Sequence, residues 1–286
     1  MVFIRIRPLY PSLFGNTEQW DGGKALNRAF VIAICFMGAC LAQPSAAGWQ
    51  ELPVKPGGAV SEVIDGDTVI LTNGDEVRFV GIQAPKLPLG RKGFRKWPLA
   101  DEARETLRTL VRGRTFDVRI GETGMDRHGR VLAHLVSTEG IWLQGEMLRL
   151  GMARVYSFPD NTALVGEMLR IERRARAARF GIWSHPFYAI RSPDELGGLI
   201  GTFQIVEGSV QEAADARGTI YLNFGEDWRT DFTVAIDRRA RSRFTDPDPI
   251  DLEGKHIRVR GWIRSRNGPL IQVTHPEQIE ITEEEK

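Results

Sequence analysis

Between Gly58 and Ile82 the chain alternates short β-branched runs with residues suited to tight turns. Gly58–Ile64 and Thr68–Leu71 flank Asp65-Gly66-Asp67, and Thr72-Asn73-Gly74-Asp75 leads into Glu76–Ile82. Asn-Gly between apolar runs is a strong hairpin signal, because a two-residue hairpin turn needs the positive φ that these residues tolerate. Thr115–Ile120 and Val131–Val136 read as two more strands joined by a polar turn. Leu99–Val111 reads as a helix with Ala103, Leu107, Leu110 and Val111 on one face. Leu143–Leu150 reads as a short helix. Thr162–Phe180 is the longest, with Leu164, Met168, Ile171, Ala175 and Ala178 at helical spacing and Gly181 as its stop. Five strands with helices between and after them predict an α+β fold, a small five-stranded barrel of the oligonucleotide/oligosaccharide-binding (OB) type.

A chain of 286 residues is comfortable for two domains. The predicted break is a Pro/Gly-rich polar linker over 191–201, after a first domain over 48–190. Over 202–286, Phe203–Gln211, Gly218–Phe224, Phe232–Ile236, His256–Ile263 and Leu270–Val273 predict a second small OB-like barrel. Hydrophobic residues at 42% and charged residues at 26% exclude a disordered tail, a collagen-like repeat and a polytopic membrane protein. The net charge of +1 excludes an assignment of nucleic-acid binding from charge alone. The halves differ, however. Residues 48–190 hold 21 basic and 17 acidic side chains, whereas 191–286 hold 13 and 18 and carry the acidic tail Glu283-Glu284-Glu285.

Residues 1–47 read as a leader. Lys24 and Arg28 precede the apolar run Ala29–Met37, and Pro44-Ser45-Ala46-Ala47 supplies the small residues of a signal-peptide cut after Ala47. The run is short for a membrane span, so the mature chain is expected outside the cytoplasm, periplasmic or secreted, with no transmembrane segment. The alternatives are an uncleaved anchor and lipidation at Cys40. Both cysteines, Cys35 and Cys40, fall in this leader, so the mature chain has no disulfide framework and no cysteine nucleophile.

Three segments carry candidate chemistry. Val63-Ile64-Asp65-Gly66-Asp67-Thr68-Val69 sets two carboxylates beside a glycine, Val77-Arg78-Phe79-Val80-Gly81-Ile82 puts an arginine in a strand, and Asp126-Arg127-His128-Gly129-Arg130 is a tight turn entering another. Each alone has a bland reading, as a turn, a solvent-facing arginine or a hairpin tip. Together, with Gly151-Met152-Ala153-Arg154-Val155-Tyr156, Pro159-Asp160-Asn161 and Phe180-Gly181-Ile182-Trp183, residues 58–185 resemble the staphylococcal nuclease (thermonuclease) family.

That resemblance implies a barrel with three helices and a calcium-dependent phosphodiesterase acting on DNA and RNA. It makes Arg78 and Arg130 the catalytic arginines, whose planar forks neutralise the extra charge on a pentavalent phosphorus. It makes Asp67 the first calcium carboxylate, with Asp65 a further charge behind it, and sets Arg127 and Tyr156 near substrate phosphates. Two positions depart from the pattern. The family's Asp-Thr/Ala-Pro-Glu segment reads here Gln83-Ala84-Pro85-Lys86. Gln83 offers calcium an amide oxygen without charge, so calcium is expected to bind weakly or not at all. Lys86 replaces the general base with a cation that cannot take a proton from water at neutral pH, and it becomes a candidate phosphate ligand instead.

Glu102 and Glu105 are the nearest substitute bases in sequence. Arg91, Lys92, Arg95 and Lys96, interleaved with Phe94 and followed by Trp97, read equally as a single-strand-binding loop or a solvated one. Arg173, Arg174, Arg176 and Arg179 read as a helix's solvent face. Three functions follow: an exported protein that binds nucleic-acid phosphodiesters through an altered site, an active metal-dependent nuclease with a non-standard base, and an envelope protein-interaction scaffold. Arg78, Lys86 and Arg130 are expected to present three positive charges to one concave face.

Overall fold

A computed structural model describes residues 48–282. The expected leader, the cut after Ala47, Cys35, Cys40 and the acidic tail at 283–285 lie outside the described residues. The chain runs through β1 (Val54–Asp65), β2 (Thr68–Leu71), β3 (Glu76–Phe79), β4 (Ile82–Gln83), α1 (Ala100–Val111), β5 (Thr115–Arg119), β6 (Val131–Ser137), α2 (Leu143–Arg149), β7 (Arg154–Val155) and α3 (Val165–Ala177). It continues with β8 (Phe203–Ser209), β9 (Glu212–Ala216), β10 (Thr219–Asn223), β11 (Thr233–Ile236), α4 (Arg238–Arg241), β12 (His256–Ser265), β13 (Pro269–Val273) and β14 (Ile279–Thr282). Among the described residues no helix is long and apolar enough to cross a membrane.

The first five-stranded sheet closes as β1-β2-β3-β6-β5. Its pairs are antiparallel except β3 with β6, where Arg78 lies opposite Leu132. Closure requires β1 to serve two neighbours: residues 54–59 pair with β5 and 60–65 with β2, with register shifts in both halves. Such shifts bend a strand and raise its twist. Val69, Val77, Phe79, Leu107, Leu135 and Met147 fill the interior. The expected strand Glu76–Ile82 is two elements, because Gly81 takes φ +77° and turns the chain between β3 and β4. The helix expected over 162–180 is shorter at both ends, and Leu164, at φ 65°, precedes it.

The second sheet repeats this connectivity. β8 pairs with β12 and β9 with β10, so β8 and β9 are the two halves of one bent strand, as in β1. β10 pairs with β11, β11 runs parallel to β13, and β13 returns antiparallel to β12. Antiparallel β14, unexpected from the sequence, extends β12 at 256–259. Both halves therefore have the OB strand order, in which the third and fifth barrel strands are parallel. Between them, Leu196 belongs to the second core and Arg191 bonds the backbone of Ile205 and Glu207.

The halves meet through buried charge. Arg260 of β12, 1% exposed, donates to Glu172 of α3 at 3.0 and 3.1 Å and to Glu280 of β14 at 2.6 Å. Arg176 donates to the same Glu172 at 2.8 Å and lies 3.5 Å from Glu280. The expected solvent face of α3 is thus wrong for Arg176, whose side chain is 10% exposed, and Arg173 is drawn to Glu280 as well.

Candidate nucleic-acid site

The Asp65-Gly66-Asp67 turn is pressed onto α1. A Cβ at Gly66 would stand 2.6 Å from the Cβ of Ala84 and 2.9 Å from that of Ala103. Only glycine lets the turn lie this close. Gly66→Ala is expected to cost about 1–3 kcal/mol by overpacking, read from the urea midpoint; an unchanged midpoint would show that the turn is free to move.

Asp67 is fully buried and its two oxygens are saturated. Oδ1 accepts from Lys86 Nζ at 2.6 Å and Thr68 Oγ1 at 3.3 Å, and lies 3.0 Å from Arg78 Nη1. Oδ2 accepts from Lys86 Nζ at 2.7 Å and the Ala84 amide at 2.7 Å. A carboxylate has about four lone-pair sites, and five contacts use them. Lys86 also donates to Asp65 Oδ2 at 3.1 Å, so all three ammonium protons face carboxylates. Burial would raise the Asp67 pKa, but Arg78 and Lys86 hold it well below the usual carboxylate range. Burial and the neighbouring Asp67 raise the pKa of Asp65, against the pull of Lys86. The four groups sum to zero charge without an added ion.

Gln83 sits apart from this cluster. Its Oε1 accepts two hydrogen bonds, 3.0 and 2.7 Å, from Arg154, which is buried beneath the ring of Phe203 at 4.5 Å. Burial lowers the Arg154 pKa to about 10, still charged at neutral pH.

Arg78, Arg127, Arg130 and Tyr156 do come together, lining a cavity of about 570 Å³ with Phe158 and Asp160. Lys86 does not join them, contrary to expectation, because its ammonium is committed to the carboxylates behind Arg78. Arg78 is itself well anchored: Nη1 donates to the carbonyls of Asp67 and Phe79, and Nη2 to that of Ile82. Among the described residues its Nε has no partner. Arg130 is held by Asp126 at 2.7 Å, and the same carboxylate accepts the amides of His128 and Arg130. Arg127 is exposed, and among the described residues its one side-chain partner is the His128 ring, at 3.2 Å. Three guanidiniums thus face two carboxylates, Asp126 and Asp160, around the cavity.

Phe158, half exposed, packs edge-on against Tyr156 at 5.0 Å and offers a ring at the rim. The second half braces this segment without lining the cavity: Trp262 donates to the Tyr156 hydroxyl at 3.0 Å, and His275 meets Ser157 at 2.7 Å. His275 was not legible as a neighbour of the site, since 118 residues separate it from Ser157. Glu102 and Glu105 do not line the cavity. In the basic loop, Arg91 lies 3.8 Å over Phe94 and Lys96 pairs with Asp101 at 2.5 Å, so part of its charge is already occupied.

Comparison with known proteins bears directly on this arrangement. Residues 76–185 match the family model of the staphylococcal nuclease homologues. Protein ParB of Escherichia coli is 33% identical over 159 residues, covering 50% of this chain and 78% of that protein. The chain belongs to the staphylococcal nuclease family. An uncharacterized endonuclease of Escherichia coli is 30% identical over 139 residues, 48% of this chain and 82% of that one. Endonuclease YhcR of Bacillus subtilis is 27% identical over 153 residues, 50% of this chain but only 12% of its own length. The family match ends at residue 185, so this staphylococcal nuclease homologue carries its second barrel beyond the matched segment.

Proposed function

We propose that this chain binds flexible or single-stranded nucleic acid through the Arg78–Arg127–Arg130 groove, and that calcium-dependent hydrolysis is absent or weak. The observation that carries the reading is the Lys86 ammonium seated between Asp65 and Asp67, 2.6–3.1 Å from three of their oxygens. The residues present do not fit a resident calcium ion. Calcium needs six to eight oxygen ligands; here Asp67 is filled by protein donors, and the Gln83 oxygen is filled by Arg154. A fixed ammonium supplies the counter-charge of Asp65 and Asp67 instead, which frees the guanidiniums of the groove to meet phosphate oxygens without a metal.

The groove's own residues set what it does. The guanidinium of Arg130, oriented by Asp126, and the exposed Arg127 offer forked donors to phosphate oxygens. Phe158 and Tyr156 offer rings to bases, the combination of cations and platforms that suits single strands. Of the two cavity carboxylates, Asp126 is committed to Arg130, and Asp160 lies on a different segment from the Gln83–Lys86 stretch where the family carries its glutamate. The remaining part of the reading, export through residues 1–47, rests on the sequence pattern alone.

The test is an incubation of the purified chain with single-stranded DNA and RNA in calcium, magnesium, manganese or chelator. Binding without calcium-stimulated cleavage is expected. Cleavage that calcium stimulates and chelator abolishes would favour the active-nuclease reading instead.

A further inference from the structure

Because the two barrels share one connectivity, the groove of the first can be mapped onto the second. In the first, the cavity lies where β3 runs parallel to β6, at the Arg78–Leu132 pair, beside the loop that joins β5 to β6. In the second, β11 runs parallel to β13, and the corresponding pair is Thr233–Leu270. Both residues line a separate cavity of about 370 Å³, and Arg266 and Asn267 of the β12–β13 loop close it. The two cavities thus occupy equivalent faces, the face by which OB barrels hold extended polymers.

Their chemistry differs. Where the first cavity gathers guanidiniums, the second has one, Arg266, balanced by the carboxylate of Glu212. Tyr221 and Trp228 supply rings, and Trp228 is 46% exposed. Arg229 lies 4.4 Å over the Trp228 ring, so the opposite face remains for a ligand. Asn223, 5% exposed, is fixed by Thr233 at 3.2 Å and itself holds Glu212 at 3.3 Å, which orients that carboxylate in the cavity.

We infer that this cavity is a second binding site, for a neutral, hydroxyl-rich oligosaccharide. A sugar ring presents an apolar face of C–H groups that packs on an aromatic ring, while its vicinal hydroxyls match planar groups such as carboxylate, amide and guanidinium. A volume of this size lies in the range of small-molecule pockets. Charge decides between the two polymers that an OB face accepts. Residues 191–286 carry 18 acidic against 13 basic side chains, and Glu226, Asp227 and Asp231 surround the Trp228 loop. A phosphate backbone would find two cations here, Arg266 and Arg229, against four anions, Glu212, Glu226, Asp227 and Asp231, which disfavours a nucleic acid.

The full chain is titrated with maltotetraose, cellotetraose and chitotetraose, and separately with a short oligothymidylate, at low and high salt, following tryptophan fluorescence and heat. At least one tetrasaccharide is expected to bind with an affinity that salt does not change. Trp228→Ala and Glu212→Ala should each weaken that binding about tenfold or more, and Arg130→Ala should leave it unchanged. Because Trp228 and Glu212 are exposed, both variants are expected to keep the wild-type urea midpoint. No binding of any of the three sugars would overturn the inference. So would salt-sensitive oligothymidylate binding that Trp228→Ala removes, which would make this face a second nucleic-acid site.

Discussion

Lys86→Met is expected to destabilise the protein by about 3–5 kcal/mol at pH 7, the range for removing one partner of a buried ion pair. Methionine keeps the length of the side chain and removes its charge, leaving Asp65 and Asp67 opposed by Arg78 alone. The wild-type Asp65 pKa is already raised by burial and by Asp67, and loss of the ammonium raises it further. A carboxyl raised in the folded state binds protons more tightly there than when unfolded. Stability of the variant should therefore recover as pH falls through the folded Asp65 value toward the ordinary value of about 3.9.

Urea unfolding at pH 7 and pH 5 reads this directly: the deficit should be smaller at pH 5. Calcium in excess should raise the variant's midpoint by mass action and leave the wild type unmoved, because only the variant has carboxylate lone pairs to offer. A loss under about 1 kcal/mol at pH 7, below the range for a buried pair, would mean that the ammonium is not essential to the carboxylate cluster.

The second large effect is expected at the junction of the barrels. Arg260→Met strips two carboxylates, Glu172 and Glu280, of their shared guanidinium and leaves only Arg176 facing both. A loss of about 3–5 kcal/mol is again expected. Burial would raise the Glu280 pKa, but Arg260 and Arg176 lower it to about 2. A depressed carboxyl contributes stability that is complete above its unfolded value, about 4.3, and is lost as pH falls toward about 2. The difference between wild type and variant should accordingly be full at pH 6 and narrow below pH 4. Adding Glu172→Gln to Arg260→Met should recover part of the loss, since the amide needs no counter-charge. A double variant no more stable than Arg260→Met would show that packing, not charge, sets the cost.

The sequence was most informative where the physics is local. The Asn73-Gly74 hairpin and the α1 face of Ala103 and Leu107 depend on neighbours that short patterns define, whereas the pairing of Arg78 with Arg130 was legible only through the family resemblance. The distant pairings were not legible. Lys86 meets Asp67 across 19 residues, Arg154 meets Gln83 across 71, and Arg260 meets Glu172 across 88. In sequence Lys86 is a cation near a proline, and nothing local says that it turns inward to the carboxylates and away from the groove. Arg176 departs from the expected solvent face for the same reason: a charge on an amphipathic helix reads as solvated until a second barrel packs against it. The sequence predicts Phe203–Gln211 as one strand, whereas the strand bends and continues over Glu212–Ala216, whose exposed, charged residues carry no apolar alternation.

Binding of nucleic acid without metal is the claim on which the account rests. Fluorescence anisotropy of a labelled single-stranded oligonucleotide, titrated with the full chain in calcium and in chelator over a series of salt concentrations, measures it most directly. Equal affinity with and without calcium is expected. The affinity should fall steeply with salt as phosphate contacts release counterions, and Arg130→Ala and Arg127→Ala should each lower it and flatten the salt slope by about one contact. Binding that appears only with calcium, or that survives both arginine substitutions, would contradict it.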